Sequence, residues 1–189
     1  MLCMSMMVCF AQNSTVKNIR ERYAAALERV QMMLEERNAA NYATTKMTTV
    51  LPAIGPVDET FECFAFDAND DEENSTTPDF RPFFIRTKLD ATPTALGIKY
   101  REYLFNDKDG TLIFCYSKTS GFWAEDEVWM EDREYFDDKG KFVTNNFKLT
   151  SRESGEAYPT GDFESDNGES SIEAAKKLFN AFTAIMNIK

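Results

Sequence analysis

The chain has 189 residues, a formal net charge of −11 and no histidine, which excludes serine–histidine–aspartate catalysis, cysteine–histidine catalysis and histidine metal sites. Its length suits one domain with a real core, and its 43% hydrophobic content excludes an intrinsically disordered chain. Because the chain is so acidic, we expect it to repel nucleic acid and anionic lipid surfaces.

The first element is an uncharged, mostly apolar segment over residues 1–12, which ends in Phe10-Ala11-Gln12. An apolar run of about 7–15 residues ending at a small residue is typical of a secretory signal peptide. It is shorter than the about 20 residues of a membrane-spanning helix. We therefore expect export, cleavage after Ala11 and a single mature domain over residues 13–189. No Lys or Arg precedes the run, so a disordered or buried hydrophobic N-terminus is the alternative.

An amphipathic helix is predicted from Ser14 to about Asn38, because apolar residues recur there at steps of three and four. Ser14 or Thr15 is expected to cap its N-terminus. The predicted buried stripe consists of Val16, Ile19, Tyr23, Leu27, Val30 and Leu34.

From Thr44 onward the apolar period changes to two, which predicts β-strands. The first three strands are expected over residues 44–50, 57–67 and 80–89. Pro82 places the third of them at a sheet edge or at a strand start. A polar, acidic loop over Asp67–Asp79 connects the second strand to the third.

Two similar segments, REYLFNDKDG and REYFDDKGK, predict two β-hairpins. Residues 97–106 are expected to pair with 111–118, and residues 127–137 with 141–149. Gly110 and Gly140 supply the left-handed residue that short hairpin loops need.

Cys63 and Cys115 alternate away from the large apolar residues of their strands, so both thiols are expected on one face of the sheet. The large apolar set, expected on the other face, comprises Phe64, Phe66, Leu112, Phe114 and Tyr116. Whether the thiols form a disulfide depends on strand adjacency, which the sequence leaves open. An exported protein can pair them, and two buried thiols are the alternative.

The last element is a second helix, for which Ser170 and Glu173 form a capping box. Together the elements predict an α+β fold: an antiparallel meander sheet of about seven strands, with an N-terminal and a C-terminal helix packed against one face of it.

The polar segment that leads into this helix resembles a calcium loop, whose oxygen ligands fall at positions 1, 3, 5, 9 and 12 before a helix. Those positions are occupied by Asp162, Glu164, Asp166, Ser170 and Glu173. The usual glycine at the sixth position is Asn167, and Ser170 and Glu173 already serve the capping box. We therefore favour an acidic loop before a capped helix, and we expect no bound metal and no cofactor.

Phe122, Trp123 and Trp129 lie among five carboxylates in the segment 121–132. Exposed rings near carboxylates are typical of sugar sites, and a glycosidase needs two carboxylates about 5–10 Å apart. These three aromatics are the candidate ligand-binding residues. The alternative is that Trp129 belongs to the core and Trp123 covers a sheet edge.

The segment VLPAIGP (Val50–Pro56), the paired hairpin segments and a leader ending in FAQ resemble uncharacterised secreted and periplasmic proteins of gut Bacteroidetes. The resemblance implies export to the periplasm or beyond in a Gram-negative cell, and it carries no catalytic residue across.

We therefore expect an exported, non-enzymatic periplasmic or cell-surface domain that binds a protein, glycan or lipid through the sheet face left free by the helices. No nucleic-acid partner and no transmembrane segment are expected. The alternative function is a carboxylate-based, glycosidase-like hydrolase centred on the region Glu125–Asp132, since metal-dependent and nucleophilic catalysis lack the residues they need.

Overall fold

A computed structural model of the chain describes residues 2–36, 41–69, 77–91, 97–123, 125–160 and 166–188, with side chains from residue 13 onward. These residues form two helices and eight strands. The helices are α1 (Leu2–Glu36) and α2 (Glu169–Met186). The strands are β1 (Tyr42–Leu51), β2 (Gly55–Asp67), β3 (Phe80–Ala91), β4 (Gly97–Phe105), β5 (Leu112–Trp123), β6 (Asp126–Phe136), β7 (Phe142–Ser151) and β8 (Ala157–Tyr158).

The strands form one antiparallel sheet in which each strand pairs with its neighbours in sequence, from β1 at one edge to β8 at the other. Alternating patterns separated by turns favour this meander, because hairpins join antiparallel strands without a crossover. The predicted α+β fold, with a helix at each end of the chain packed on a meander sheet, is confirmed. The sheet has eight strands rather than about seven because the two-residue β8 pairs with β7.

The two helices pack on opposite faces of the sheet. Ile19 of α1 packs with Phe64 and Phe84, whereas Phe182 of α2 packs with Cys63. Consecutive residues of a strand point to opposite faces of the sheet. We call the face to which Phe64 points the α1 face and the face to which Cys63 points the α2 face. The expectation that both helices lie against one face is therefore wrong. An apolar stripe shows that a helix has a buried side. The side of the sheet on which the helix lies depends on the connections between the helix and the strands.

The helix α1 begins earlier than predicted, and two of the six residues of its predicted stripe, Leu27 and Leu34, are replaced by the residues before them. It starts at Leu2 rather than near Ser14, because residues 2–13 contain neither glycine nor proline to interrupt a helix. The predicted cap at Ser14 or Thr15 is therefore wrong. Ala26 is buried, while the predicted Leu27 and Leu34 are 36% and 37% exposed. The stripe that contacts the sheet is Val16, Ile19, Tyr23, Ala26, Val30 and Met33. Within the described part of the chain, neither helix has the length and apolar character needed to cross a membrane.

Both predicted hairpins are confirmed, one joining β4 to β5 and the other joining β6 to β7. Gly110 and Gly140 adopt φ angles of +71° and +74° at their ends. A register shift beside Phe105 places Leu112 on the α2 face, so the prediction for Leu112 is wrong. Pro82 is the third residue of β3, opposite Ala65 at a second register shift. It therefore lies near the strand start, and the sheet-edge alternative is wrong because β3 has a paired strand on each side.

Cys63 and Cys115 lie on the same face of the sheet, as predicted, and both are free and buried. Cys63 pairs with Ile85 and Tyr103 pairs with Cys115, so two strands separate the cysteines. At a strand spacing of about 4.8 Å the two Cα atoms are roughly 14 Å apart, beyond the limit of about 7 Å for a disulfide. The cysteines therefore contribute to the core as thiols. Burial raises the pKa of Cys63 to about 12, which keeps that thiol protonated.

The start of α2 differs from the predicted capping box. Its N-cap residue is Gly168, which has no side chain to accept a hydrogen bond. Instead, the carboxylate of Asp166 accepts hydrogen bonds from the amides of Gly168 at 2.9 Å and Ser170 at 3.1 Å. Glu173 pairs with Lys177 at 2.6 Å one turn into the helix. The capping box of Ser170 and Glu173 is therefore wrong, because Asp166 already occupies the helix N-terminus.

Candidate functional site

Next to the helix, the α1 face carries two rows of mostly polar side chains, which we call the open rows. The helix α1 covers an apolar row that includes Phe64, Phe84 and Phe114, and strand register places the open rows beside it. The first open row is Thr44, Glu62, Arg86, Glu102, Tyr116, Arg133 and Asn146, and the second is Lys46, Thr60, Lys88, Tyr100, Lys118, Glu131 and Lys148.

The open rows carry an excess of positive charge within a chain of net charge −11. They hold six cationic side chains and three carboxylates, which gives them a net charge of +3. Four lysines stand in one row on alternate strands, which places successive lysines roughly 10 Å apart. These are Lys46, Lys88, Lys118 and Lys148. A local field of this sign attracts acidic ligands.

A buried carboxylate connects α1 to the open rows. The hydroxyls of Tyr23 in α1 and Tyr100 in β4 both donate hydrogen bonds to Glu102, which is only 5% exposed. Burial, followed by the bond to Glu102, raises the pKa of Tyr23 and Tyr100 well above the ordinary 10.0. Both phenols are therefore fixed donors, and the bond from Tyr23 holds the helix against the sheet beside the polar rows.

An ion pair organises the side of the open rows nearest β1. Arg86 pairs with Glu62, whose other oxygen accepts a hydrogen bond from Tyr42 at 2.7 Å. Burial acts to raise the pKa of Glu62, but the bonds from Arg86 and Tyr42 outweigh it and hold that pKa below the ordinary 4.5. The guanidinium of Arg86 also lies 5.4 Å from the ring centroid of Phe64. Glu62 therefore largely neutralises the charge of Arg86, and these contacts fix the position of the Arg86 side chain.

Around Glu131, in contrast, cations outnumber carboxylates. Glu131 accepts from Lys118 at 3.1 Å and from Arg133 at 3.5 Å, and Lys148 lies opposite it across β6 and β7. Burial acts to raise the pKa of Glu131, but Lys118 and the neighbouring Arg133 hold it below the ordinary 4.5. One carboxylate thus faces three cations.

A cavity of about 300 Å³ lies between α1 and strands β5, β6 and β7, next to this cation-rich region. Its lining residues are Arg20, Tyr23, Phe114, Arg133, Tyr135, Asn146 and Lys148. Three of the seven are cationic and none is acidic. Among the residues that the structure describes, Arg20 and Lys148 have no carboxylate within 4.0 Å. We call this cavity the basic pocket.

The three predicted ligand-binding aromatics are not brought together. Phe122 and Trp129 lie on the α1 face, and Trp123 lies on the opposite face. Lys118 Nζ and Arg152 Cζ lie 4.6 Å and 4.9 Å from the ring centroid of Trp129, so that ring already contacts two cations of the protein. Phe122 is 68% exposed beyond the open rows. The basic pocket lies elsewhere, and it was not predicted from the sequence.

The carboxylates of the Glu125–Asp132 region are also divided between the two faces. Glu127 and Glu131 share the α1 face, but four residues along a strand separate them by roughly 13 Å. That distance exceeds the 5–9.5 Å or so of glycosidase pairs. Glu127 pairs with Arg152 at 2.7 Å, and Asp126 accepts a hydrogen bond from Tyr158.

A closer carboxylate pair, Asp132 and Glu134, lies on the α2 face near the start of α2. Two residues along β6 separate them by roughly 7 Å. Burial raises the pKa of both groups, and the neighbouring Asp166 adds to the effect. Asn145 donates to Asp132 at 3.2 Å. Glu134 is only 8% exposed and hydrogen-bonded to Ser171, so α2 covers it.

We predict that Glu134→Gln stabilises the protein at neutral pH. Burial raises the pKa of Glu134 above 4.5, so the native state favours the protonated form. The stability that protonated Glu134 contributes is complete below pH 4.5 and is lost as the pH rises through the folded-state pKa. Because glutamine stays neutral, Tm should rise by about 2–4 °C at pH 7, the effect of about 1 kcal/mol in a domain of this size.

Thermal melts at pH 7 and pH 4 test this prediction. The gain should vanish at pH 4, where both states of the wild type are protonated. Glu153→Gln, on an exposed turn, should change Tm at neither pH. A gain that is equal at the two pH values would contradict the prediction.

The predicted calcium ligands are only partly within the described residues. Asp162 and Glu164 lie outside them. Asp166 caps α2 and Glu173 pairs with Lys177, as described above. Among the described residues, no group of three or more acidic or cysteine side chains is arranged to hold a metal ion.

We predict that millimolar Ca²⁺ leaves Tm unchanged, because Asp166 and Glu173 already bind partners within the protein. A ligand held only by the native state would raise Tm by mass action. Calorimetry with Ca²⁺ and with EDTA measures this directly. A calcium-dependent rise that is lost in Glu173→Gln would show that the loop binds calcium.

The chain was compared with protein-family models, curated proteins and solved structures, and none of them matches it.

Proposed function

We propose that the protein is an exported, non-enzymatic binding domain whose ligand, a protein, glycan or lipid, is bound by the open rows of the α1 face. The observation that carries the proposal is the net charge of +3 on the open rows of a chain whose net charge is −11. Solubility does not require cations to be gathered on one face, so their alignment favours recognition of a ligand.

Two further observations support a binding surface there. Tyr23, Tyr100 and Glu102 fix α1 beside the rows, and Arg86 is fixed by Glu62. A surface whose side chains are held by such contacts loses little conformational entropy when a ligand binds. The leader-like residues 1–12 and the resemblance to secreted Bacteroidetes proteins support placing this domain in the periplasm or at the cell surface of a Gram-negative cell.

Glycan and lipid arrays probed with the purified protein and two matched variants test the proposal. Lys118→Glu reverses a charge within the open rows, and Lys176→Glu reverses one on the exposed side of α2. We expect a ligand that Lys118→Glu loses and Lys176→Glu retains. Equal retention by the two variants would overturn the proposal, and an empty array with the wild type would exclude a glycan or lipid ligand from it. N-terminal sequencing of the native protein tests export, and an intact Met1 in the cytosol would refute it.

A carboxylate-based hydrolase is the second candidate, and one observation favours it. Asp132, at the end of the predicted region, has a raised pKa and one buried oxygen without a hydrogen-bond partner among the described residues. Its neighbour Glu134 points to the same face at a backbone spacing of roughly 7 Å along β6, which is compatible with the carboxylate separations of glycosidase pairs. Hydrolysis of aryl glycosides that is abolished by Asp132→Asn would establish this function in place of simple binding.

A further inference from the structure

We propose that the basic pocket binds an oxyanion group, namely a carboxylate, sulfate or phosphate, carried by an acidic ligand. This inference rests on the proposed binding function and names the chemistry that the surface recognises. It concerns the place where α1 meets the first open row, at the β7 side of the sheet.

The first support is the convergence of cations that come from three separate elements. Arg20 lies on α1, Arg133 on β6 and Lys148 on β7, and all three line one cavity. Like charges that share a cavity repel each other, and an anion between them removes that repulsion. Since Arg20 and Lys148 have no ion-pair partner among the described residues, an anion would be their first.

The second support is the geometry of the available donors. Arg20 Nε donates to the hydroxyl of Tyr135 at 3.2 Å, which leaves the terminal nitrogens of Arg20 for a ligand. Because that hydroxyl accepts from Arg20, its own proton can be donated to the anion. Arg133 is held 4.9 Å from the ring centroid of Tyr116, and Asn146 adds an amide. Such charge-assisted bonds are the strong ones for carboxylates and phosphates.

The third support is the size and lining of the cavity. A volume of about 300 Å³ lies at the small end of the range for ligand pockets. Phe114 and Tyr23 form an apolar wall, while the second open row continues the positive charge through Lys148 and Lys118. The pocket therefore suits one acidic group of a larger ligand whose remainder follows the lysine row.

Isothermal titration of the purified protein with galacturonate, sulfate and inorganic phosphate tests the proposal. At least one anion should bind, and binding should weaken as NaCl rises from about 50 to about 500 mM. Tighter binding of galacturonate indicates a carboxylate-bearing ligand, tighter binding of phosphate a phosphate ester, and tighter binding of sulfate a sulfate ester. Each of these results supports the pocket.

Variants decide whether the binding is at this pocket. Arg20→Gln combined with Lys148→Gln should raise the dissociation constant about tenfold or more, and Asn146→Asp should do the same by adding a negative charge. Lys176→Gln removes an exposed cation of α2, on the other face of the sheet, and should change the dissociation constant less than about twofold. Circular dichroism is the check that each variant is folded.

Two results would overturn the pocket. One is the absence of binding to all three anions, and the other is equal weakening by Lys176→Gln and by the pocket variants. If an array ligand is lost by Lys118→Glu but retained by Arg20→Gln/Lys148→Gln, the proposed binding function stands and the pocket assignment falls.

Discussion

Replacing Gly110 with alanine is expected to destabilise the protein by about 2–5 kcal/mol, because two costs combine at this position. Gly110 has a φ of +71°, which costs an L-residue about 1–2 kcal/mol. An added Cβ would also lie 2.3–2.7 Å from three ring atoms of Phe179 in α2. That overpacking costs about 1–3 kcal/mol more, since the ring is held against Phe105 with centroids 5.1 Å apart.

Gly155→Ala is the matched control for this prediction. Gly155 has a similar φ of +75°, but nothing lies within 4 Å of its added Cβ. It should therefore cost only the backbone term of about 1–2 kcal/mol. Urea unfolding measures both. In a Phe179→Ala background, Gly110→Ala should cost no more than Gly155→Ala does. Equal costs of the two alanine variants in the wild-type background would contradict the packing of α2 on this hairpin.

Tyr23→Phe is expected to cost about 1.5–3 kcal/mol, the range for a hydrogen bond to a charged group. The Tyr23 hydroxyl donates to Glu102, and removing it leaves a carboxylate that is 5% exposed with one tyrosine donor fewer. Tyr158→Phe removes a similar bond to Asp126 at a solvent-exposed position and should leave the unfolding free energy unchanged. Comparable losses in the two variants would contradict a buried link between α1 and the sheet.

The bond between Tyr23 and Glu102 also determines how the stability of the protein changes at alkaline pH. Burial and Glu102 raise the pKa of Tyr23 above the ordinary 10.0, so the unfolded chain ionises first. The stability that the protonated phenol contributes is complete below pH 10 and is lost as the pH rises through the folded-state pKa. The stability difference between the wild type and Tyr23→Phe should therefore shrink above pH 10.

Strands and hairpins could be predicted because their signals are local. Alternation within ten residues and a glycine at the turn are enough to place Gly110 and Gly140 at hairpin ends. The side of the sheet on which each helix packs could not be predicted, because the apolar stripes that contain Ile19 and Phe182 show only that each helix has a buried side. The rotation of α1 that buries Ala26 instead of Leu27 likewise depends on the shape of the sheet beneath it.

The basic pocket could not be predicted because its members are far apart in sequence. Arg20 and Arg133 meet only when α1 crosses the sheet, and Lys148 joins them through the register of β6 and β7. One signal in the sequence was relevant to the pocket: over part of each strand, charged residues alternate with apolar ones. That alternation predicts that part of one sheet face is polar. Which charged residues lie side by side in a row can be derived only from the register of every strand pair.

Mapping where an acidic ligand contacts the protein tests the central claim, that the open rows of the α1 face bind the ligand, most directly. We propose to titrate the ¹⁵N-labelled protein with the tightest of the three anions and to follow the amide shifts. The largest shifts should fall on Arg133, Asn146, Lys148 and the neighbouring residues of α1, with smaller ones along the second open row. Shifts confined to the α2 face around Asp132 and Glu134, or to the turn at Glu125, would contradict the assignment of the binding surface.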